Sequence, residues 1–231
     1  MQEPNIIEYD PPVTLTFIKK RHEYDDVHSF FFKPSQELPF LSGQNARIIL
    51  PGLPDGENRR SLSFASTPQD GHIMFSTHVR SGSAFKKTLS ELKEGDTVDL
   101  VKLKGHMTLP KHEKTPVVLI AGGIGITPFR SMLLDIHERN LPTEAVLFHV
   151  SKSGYLYEED FKGLPFEQHR IRRPEIEKTL ASVTEKYPDA EYYIAGPPGF
   201  SEALRGLLKE KQIEESHIHA TDFSGYEERD D

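Results

Sequence analysis

Hydrophobic residues recur at every second position in the first half of the chain and change rhythm after residue 110. In "VTLTF" Val13, Leu15 and Phe17 alternate with threonines, the period of a strand with one buried face. The runs "HSFFF", "ARIIL", "RSLSFAS", "HIMFSTHV" and "DTVDLVKL" are further strand-like segments, separated by turns rich in Pro, Gly and Asp. One helix interrupts them, "SAFKKTLSEL", with Phe85, Leu89 and Leu92 spaced i, i+4, i+7. Six short strands with a single helix predict a small antiparallel Greek-key β-barrel over residues 1–110.

The polar, proline-bounded stretch "LPKHEKTP" contains the expected linker, residues 111–116. Beyond it "VVLIA" is continuously apolar, as a strand buried on both faces of a parallel sheet must be. A helix follows with Phe129, Met132, Leu133 and Ile136 at i, i+3, i+4, i+7. Strand "AVLFHV", a short strand near "HRIR", and a helix carrying Ile176, Leu180, Val183 and Tyr187 come next. Strand "EYYIAG", a helix with Phe200, Leu204, Leu207 and Leu208, and strand "HIHATDF" complete the series. Strands alternating with helices predict a doubly wound α/β domain with a parallel sheet over residues 117–226. Residues 227–231 are expected to be an acidic tail.

Composition narrows the chemistry. The chain has 231 residues and a net charge of −8, which argues against nucleic-acid binding, where a basic face is expected. It has no cysteine, so disulfides, cysteine-held iron–sulfur clusters and thiol nucleophiles are excluded, and redox chemistry would need a bound organic cofactor or a metal. A metal site is not expected. The 11 histidines form no H-E-x-x-H cluster, and His217 and His219 on one strand face lack a third ligand. The N-terminal "MQEPNIIEYDPP" shows no basic-then-apolar leader and no run reaches membrane-spanning length, so no membrane insertion and a cytoplasmic protein are expected.

The stretch "AGGIGITPF" sits between the first buried strand and its helix, where phosphate loops sit. Gly122, Gly123 and Gly125 remove side chains so that a ligand can approach the backbone. Thr127 is expected to be the helix N-cap, and Pro128 to stand at the first helical position, where a missing N–H costs nothing. By itself this stretch is either an anion-accepting helix start or a tight strand–helix turn that binds nothing.

A β-barrel followed by a nucleotide-type α/β domain whose first loop reads G-x-G-x-x-P resembles the ferredoxin–NADP reductase family of flavoenzymes. The resemblance spans nearly the whole chain and rests on four motifs. "RRSLSFAS" resembles the flavin signature Arg-x-Tyr-Ser, with Arg60, Ser61, Leu62 and Ser63 in those places. It implies that Arg60 meets the FAD pyrophosphate and that the Ser63 hydroxyl lies near flavin N5. Leu62 stands where tyrosine is usual; leucine covers a ring face but offers neither a π-system nor a hydroxyl. "THVRSGSAFKKTL" resembles the segment that passes the cofactor, with Ser83, Ala84 and Phe85 offering backbone N–H groups to the pyrophosphate and His78 and Val79 flanking the flavin. Lys86 and Lys87 read as solvated helix charges. The loop with Gly123, Gly125, Thr127 and Pro128 is the one the family uses for the nicotinamide dinucleotide, with Thr127 nearest the nicotinamide. "YYIAGPPGF" and "TDFSGY" resemble the family's last strand ends. Gly196 and Pro197 match there, Ala195 replaces a usual cysteine, Asp222 matches an acidic position and Phe223 an aromatic one beside the flavin.

The resemblance thus implies an FAD-dependent NAD(P)H oxidoreductase. Hydride would pass from nicotinamide to flavin N5, with Ser63 and Asp222 tuning the flavin, and electrons would leave for a separate protein or small-molecule acceptor such as ferredoxin or flavodoxin. Two other readings stay open: a reductase subunit serving a haem or flavin partner, and a flavin- or nucleotide-binding sensor without turnover, which Leu62 and Ala195 favour. Ser151 and Lys152 in "HVSKSG" lean toward NADPH over NADH, as a place for a 2′-phosphate, or are solvated loop residues. Lys86, Lys87, Lys102 and Lys104 are either a basic rim for an acidic carrier or scattered solubilising charges.

Overall fold

The computed structural model describes residues 6–80 and 82–222, the last of these by its backbone alone. Phe223, Tyr226 and the acidic tail lie outside the described residues. Contacts divide the chain into two compact units, one of residues 2–108 with Arg130–Asp135, the other chiefly of residues 109–129 and 136–231. Among the described residues no helix is long and apolar enough to cross a membrane.

The first unit is built on strands β1 (Ile7–Tyr24), β2 (Val27–Pro34), β3 (Asn45–Ile49), β4 (Arg59–Ser63), β5 (Ile73–His78) and β6 (Thr97–Lys104), with helix α1 (Ala84–Glu91) before β6. They form one antiparallel sheet in the order β4-β3-β6-β1-β2-β5. A bridge from Phe64 to Phe75 brings the two ends of that order together, so the sheet nearly closes into the expected barrel. Its alternating residues point inward into one core: Leu15, Phe17, Phe30, Phe32, Ile48, Leu62 and Leu100, capped by Phe85 and Leu89 of α1. β1 is far longer than "VTLTF". Its ladder with β6 skips from Glu8 to Val13, and Pro11 and Pro12 fall in the skipped part, where no ladder N–H is demanded. At its other end the charged run 19–24 pairs with β2, so a segment without hydrophobic period is held by its partner strand.

The second unit carries β7 (Val117–Gly122), β8 (Ala145–Val150), β9 (Glu167–Ile171), β10 (Glu191–Gly196) and β11 (Ile218–Asp222). All are parallel, in the order β11-β10-β7-β8-β9. Helices α2 (Thr127–Glu138), α3 (Ile176–Lys186) and α4 (Pro198–Glu210) connect them. Every residue of β7 and β8 is buried, which explains why β7 reads as an unbroken apolar run and β8 as one interrupted only by His149. The chain winds from β7 outward to β9 and then crosses to β10 on the other side of β7. The topological switch point therefore lies at the carboxyl ends of β7 and β10, where doubly wound sheets place ligands.

Gly206 sits exposed in the interior of α4, and a Cβ there would meet nothing within 4 Å. Gly206→Ala is expected to stabilise the second unit by about 1 kcal/mol, because alanine loses less backbone entropy in a helix. A thermal melt should register a rise of roughly 2–4 °C; an unchanged or lower midpoint would contradict the helix geometry.

Candidate functional site

Two groups of residues stand out, one in each unit. In the barrel unit β4 sends Arg60 and Leu62 to one side and Ser61 and Ser63 to the other. Arg60 reaches the start of α1: its Nη2 donates to the Ser83 hydroxyl at 3.3 Å and its guanidinium lies 5.4 Å from the centre of the Phe85 ring. Ser83 is the residue before α1, and its side chain makes no capping bond to the helix N–H groups. The backbone donors of the first turn, the helix dipole and a guanidinium thus converge, which is the chemistry of an anion receptor. Ala84 and Phe85 open the helix, and Phe85 is buried in the barrel core.

Lys86 corrects the expectation of a solvated helix charge: it is 8% exposed, and burial pulls its ammonium pKa down to about 8, with Asp26 opposing and Arg60 adding to the drop. On α1 it is buried beside Phe85, whereas Lys87 faces solvent. A basic rim therefore cannot include Lys86, and Lys102 is already held by Glu8 at 2.6 Å.

His78 and Val79 leave β5 beside Asp26, a residue the sequence did not single out. Asp26 Oδ1 meets His78 Nδ1 at 2.9 Å, Oδ2 accepts the Arg80 N–H at 2.9 Å, and its carbonyl accepts the Val79 N–H. Burial works to raise the Asp26 pKa, but the His78 and Arg80 hydrogen bonds prevail and hold it below the usual carboxylate range. One carboxylate in a tight turn thereby sets the course of residues 78–80. Leu62 packs into the barrel core. Ser63 is half-buried opposite Asn45, whose Oδ1 is buried with no hydrogen-bond partner among the described residues. That orphaned acceptor beside Ser63 suits a ligand carrying N–H groups.

In the α/β unit, Gly123–Ile126 form a 3₁₀ turn that runs straight into α2. Gly123 has φ +53°, and a Cβ there would meet open space. Gly125 lies so close to β10 that a Cβ would stand 2.0 Å from the Ala195 carbonyl oxygen, so only glycine lets the loop rest on that strand end. Thr127 is not the N-cap. It has helical angles, and both its backbone N–H and its hydroxyl, the latter at 2.8 Å, donate to the Ile124 carbonyl. The 3₁₀ turn has moved the helix start back to Gly122, and Pro128, second in α2, has no N–H to offer that carbonyl.

Gly122 and Gly196, at the ends of neighbouring β7 and β10, both lie against the Phe200 ring of α4; added Cβ atoms would come within 3.0 and 2.7 Å of it. Pro197 precedes α4 as its N-cap residue. Ser151 and Lys152 follow β8, where the Ser151 hydroxyl accepts the Gly154 N–H at 3.4 Å, and Lys152 is exposed. Asp222 closes β11 opposite Gly196. His217 and His219 pair with Glu191 at 3.2 and 2.5 Å.

The sequence also gave no notice of His149. It is fully buried near the end of β8, and its Nε2 lies 3.1 Å from the Gly123 carbonyl. Burial pulls its pKa from 6.5 to about 4; the Gly123 bond opposes this and Arg170 adds to it. Between pH 6.5 and 4 the unfolded chain binds a proton that the folded chain refuses, so stability is full above 6.5 and falls as the pH drops toward 4. The loss is on the order of 3 kcal/mol. Urea midpoints measured across this range should fall in the wild type and fall distinctly less in His149→Gln; parallel curves would contradict a neutral buried imidazole.

No family model matches the chain. A flavohemoprotein of Bacillus subtilis is 28% identical over 92% of the chain, which spans 58% of that protein's length. Among solved structures, an Amycolatopsis cytochrome P450 reductase superposes with a TM-score of 0.73 at 21% identity, over 96% of this chain and 71% of that one. The Plasmodium falciparum ferredoxin–NADP+ reductase, solved with 2′P-AMP, gives a TM-score of 0.78 at 16% identity, over 95% of this chain and 100% of that one. The two-unit fold of the chain is that of the ferredoxin–NADP reductase-like structures, and in sequence the chain is similar to the flavohemoprotein.

Proposed function

We propose that this chain is an FAD-dependent NAD(P)H oxidoreductase module that serves a separate electron acceptor. The observation that carries the reading is the meeting of the Arg60 guanidinium with Ser83 at the start of α1, two motifs 23 positions apart joined into one anion receptor. When bound, FAD supplies an isoalloxazine that accepts hydride at N5 from a reduced nicotinamide and passes electrons on singly or in pairs.

The chain's own residues supply position and field. Arg60, with Ser83, Ala84 and Phe85 at the helix start, would hold the pyrophosphate. Ser61, His78 and Val79 would border the flavin, with Leu62 contributing its main chain while its side chain fills the barrel core, and with Asp26 keeping residues 78–80 in place. Ser63 and Asp222 would tune the flavin, the one through a hydrogen bond near N5 and the other through its charge. Gly123, Gly125, Thr127 and Pro128 with Gly196 and Pro197 would seat the nicotinamide dinucleotide at the switch point. Ser151 and Lys152 would take a 2′-phosphate, which makes NADPH the expected donor; a large NADH preference in kcat/KM would overturn that choice.

The test is the absorbance spectrum of the full chain, as purified and with added FAD, followed by anaerobic NADH or NADPH. A yellow protein bleached by one of them is expected. Protein that stays colourless with FAD would remove the reading, and bound flavin that neither donor bleaches would favour the sensor.

Ferredoxin or flavodoxin is the first acceptor class to try. A second reading, a haem acceptor, is favoured by the names of the relatives, a flavohemoprotein and a cytochrome P450 reductase. Stopped-flow reduction of a ferredoxin, a flavodoxin and a ferric haem protein by the NADPH-reduced chain separates the two. Rates that stay flat between low and high salt would count against a charged docking rim.

A further inference from the structure

We propose that His149 is a positioning residue for the nucleotide loop, its neutral imidazole donating from Nε2 to the Gly123 carbonyl and so fixing the left-handed turn that starts the loop. The proposal rests on the NAD(P)H reading of that loop and assigns to it a residue from the neighbouring strand.

A carbonyl oxygen only accepts hydrogen bonds, so the 3.1 Å contact requires the ring proton on Nε2. Nδ1 is then a bare acceptor, buried with no partner among the described residues. A buried imidazole with one orphaned nitrogen is a costly choice for filling space, since leucine would fill it without that penalty. What the imidazole adds is a hold on Gly123. That residue has φ +53° and no Cβ, and open space lies where a side chain would be, so local sterics do little to fix its conformation.

The ring is held in turn. Its partner across the β7–β8 ladder is Ala121, in the strand that leads into the loop. The Tyr155 ring meets it edge-on at 5.2 Å, and the Arg170 guanidinium lies 5.9 Å from the centre of that same tyrosine. Arg170 pairs with Glu158 at 2.5 Å, so the outer end of the stack is anchored by an ion pair. Arg170 is also the charged group that disfavours a second proton on the imidazole. Carbonyl, imidazole, phenol ring and guanidinium form one row from the loop to the end of β9.

Two measurements on the full chain test this. In ¹⁵N spectra of histidine-labelled protein, the signal missing from His149→Gln should report the Nε2–H tautomer at pH 7. An Nδ1–H or doubly protonated ring would overturn the proposal. Calorimetric titration with NADP+ and NAD+ comes second. His149→Leu should bind the preferred nucleotide about tenfold more weakly, and His149→Gln, whose amide still donates, should recover affinity to within about threefold of wild type. Flavin content should match wild type in both variants, and the loss should fall on the NAD(P)H KM with kcat within about twofold. Unchanged binding in the leucine variant, or a glutamine variant as weak as leucine, would overturn the proposal. Wild-type protein that binds neither nucleotide would overturn the NAD(P)H reading itself, and that result is read before any variant is made.

Discussion

Gly125→Ala should lower the thermal midpoint by roughly 6–12 °C and abolish measurable nicotinamide binding. The new Cβ would lie 2.0 Å from the Ala195 carbonyl oxygen and 2.5 Å from its carbon. Both sides of the clash are backbone, and Ala195 is fixed by its ladder partners Ala121 and Thr221. No rotamer change relieves it; the loop must lift from the strand end at a cost of about 3 kcal/mol. Gly123→Ala is a useful contrast, since its Cβ meets open space and the strain comes from φ alone, about 1 kcal/mol. Differential scanning calorimetry of the two variants checks the order. A Gly125→Ala protein as stable as Gly123→Ala would mean that the loop does not rest on β10.

Arg60→Ala should weaken FAD binding about 100-fold, so that the protein leaves gel filtration without flavin. The substitution removes a side chain that joins β4 to the start of α1, and with it a fork matched to two phosphate oxygens. Arg60→Lys keeps a charge without the fork and should recover only part of the affinity. Flavin fluorescence titration measures both. Because Arg60 is part-exposed and packs on Phe85 through its guanidinium, the folded barrel should survive either change. An alanine variant that retains FAD one to one would end Arg60's assignment to the pyrophosphate.

The residues of the two candidate sites differ in how far the sequence exposes them. Gly125 and Arg60 both lie in short motifs whose residue types already state a chemistry, an open backbone and a phosphate fork. Thr127 lies in the same loop, yet its expected capping role was wrong, because a 3₁₀ turn had already begun the helix and left its hydroxyl to serve Ile124. Lys86 reads as a surface charge because helix period alone does not tell which polar residue the packing buries. Phe200 was legible as a helix core residue, but not as the ring against which Gly122 and Gly196 both lie. Those two glycines are 74 positions apart and become neighbours only through the pairing of β7 with β10.

The order of the two domains, the period of nearly every element, the glycine-rich loop and Arg60 were determined by the sequence alone. Each follows from spacing over a few residues, and local geometry carries that information directly. The length of β1, the Asp26 hold on residues 78–80, the burial of Lys86 and the bond from His149 to Gly123 were decided only by the tertiary structure. In each, what matters is which backbone lies beside the residue. Strand register and helix placement fix that, and they are set by the packing of whole cores.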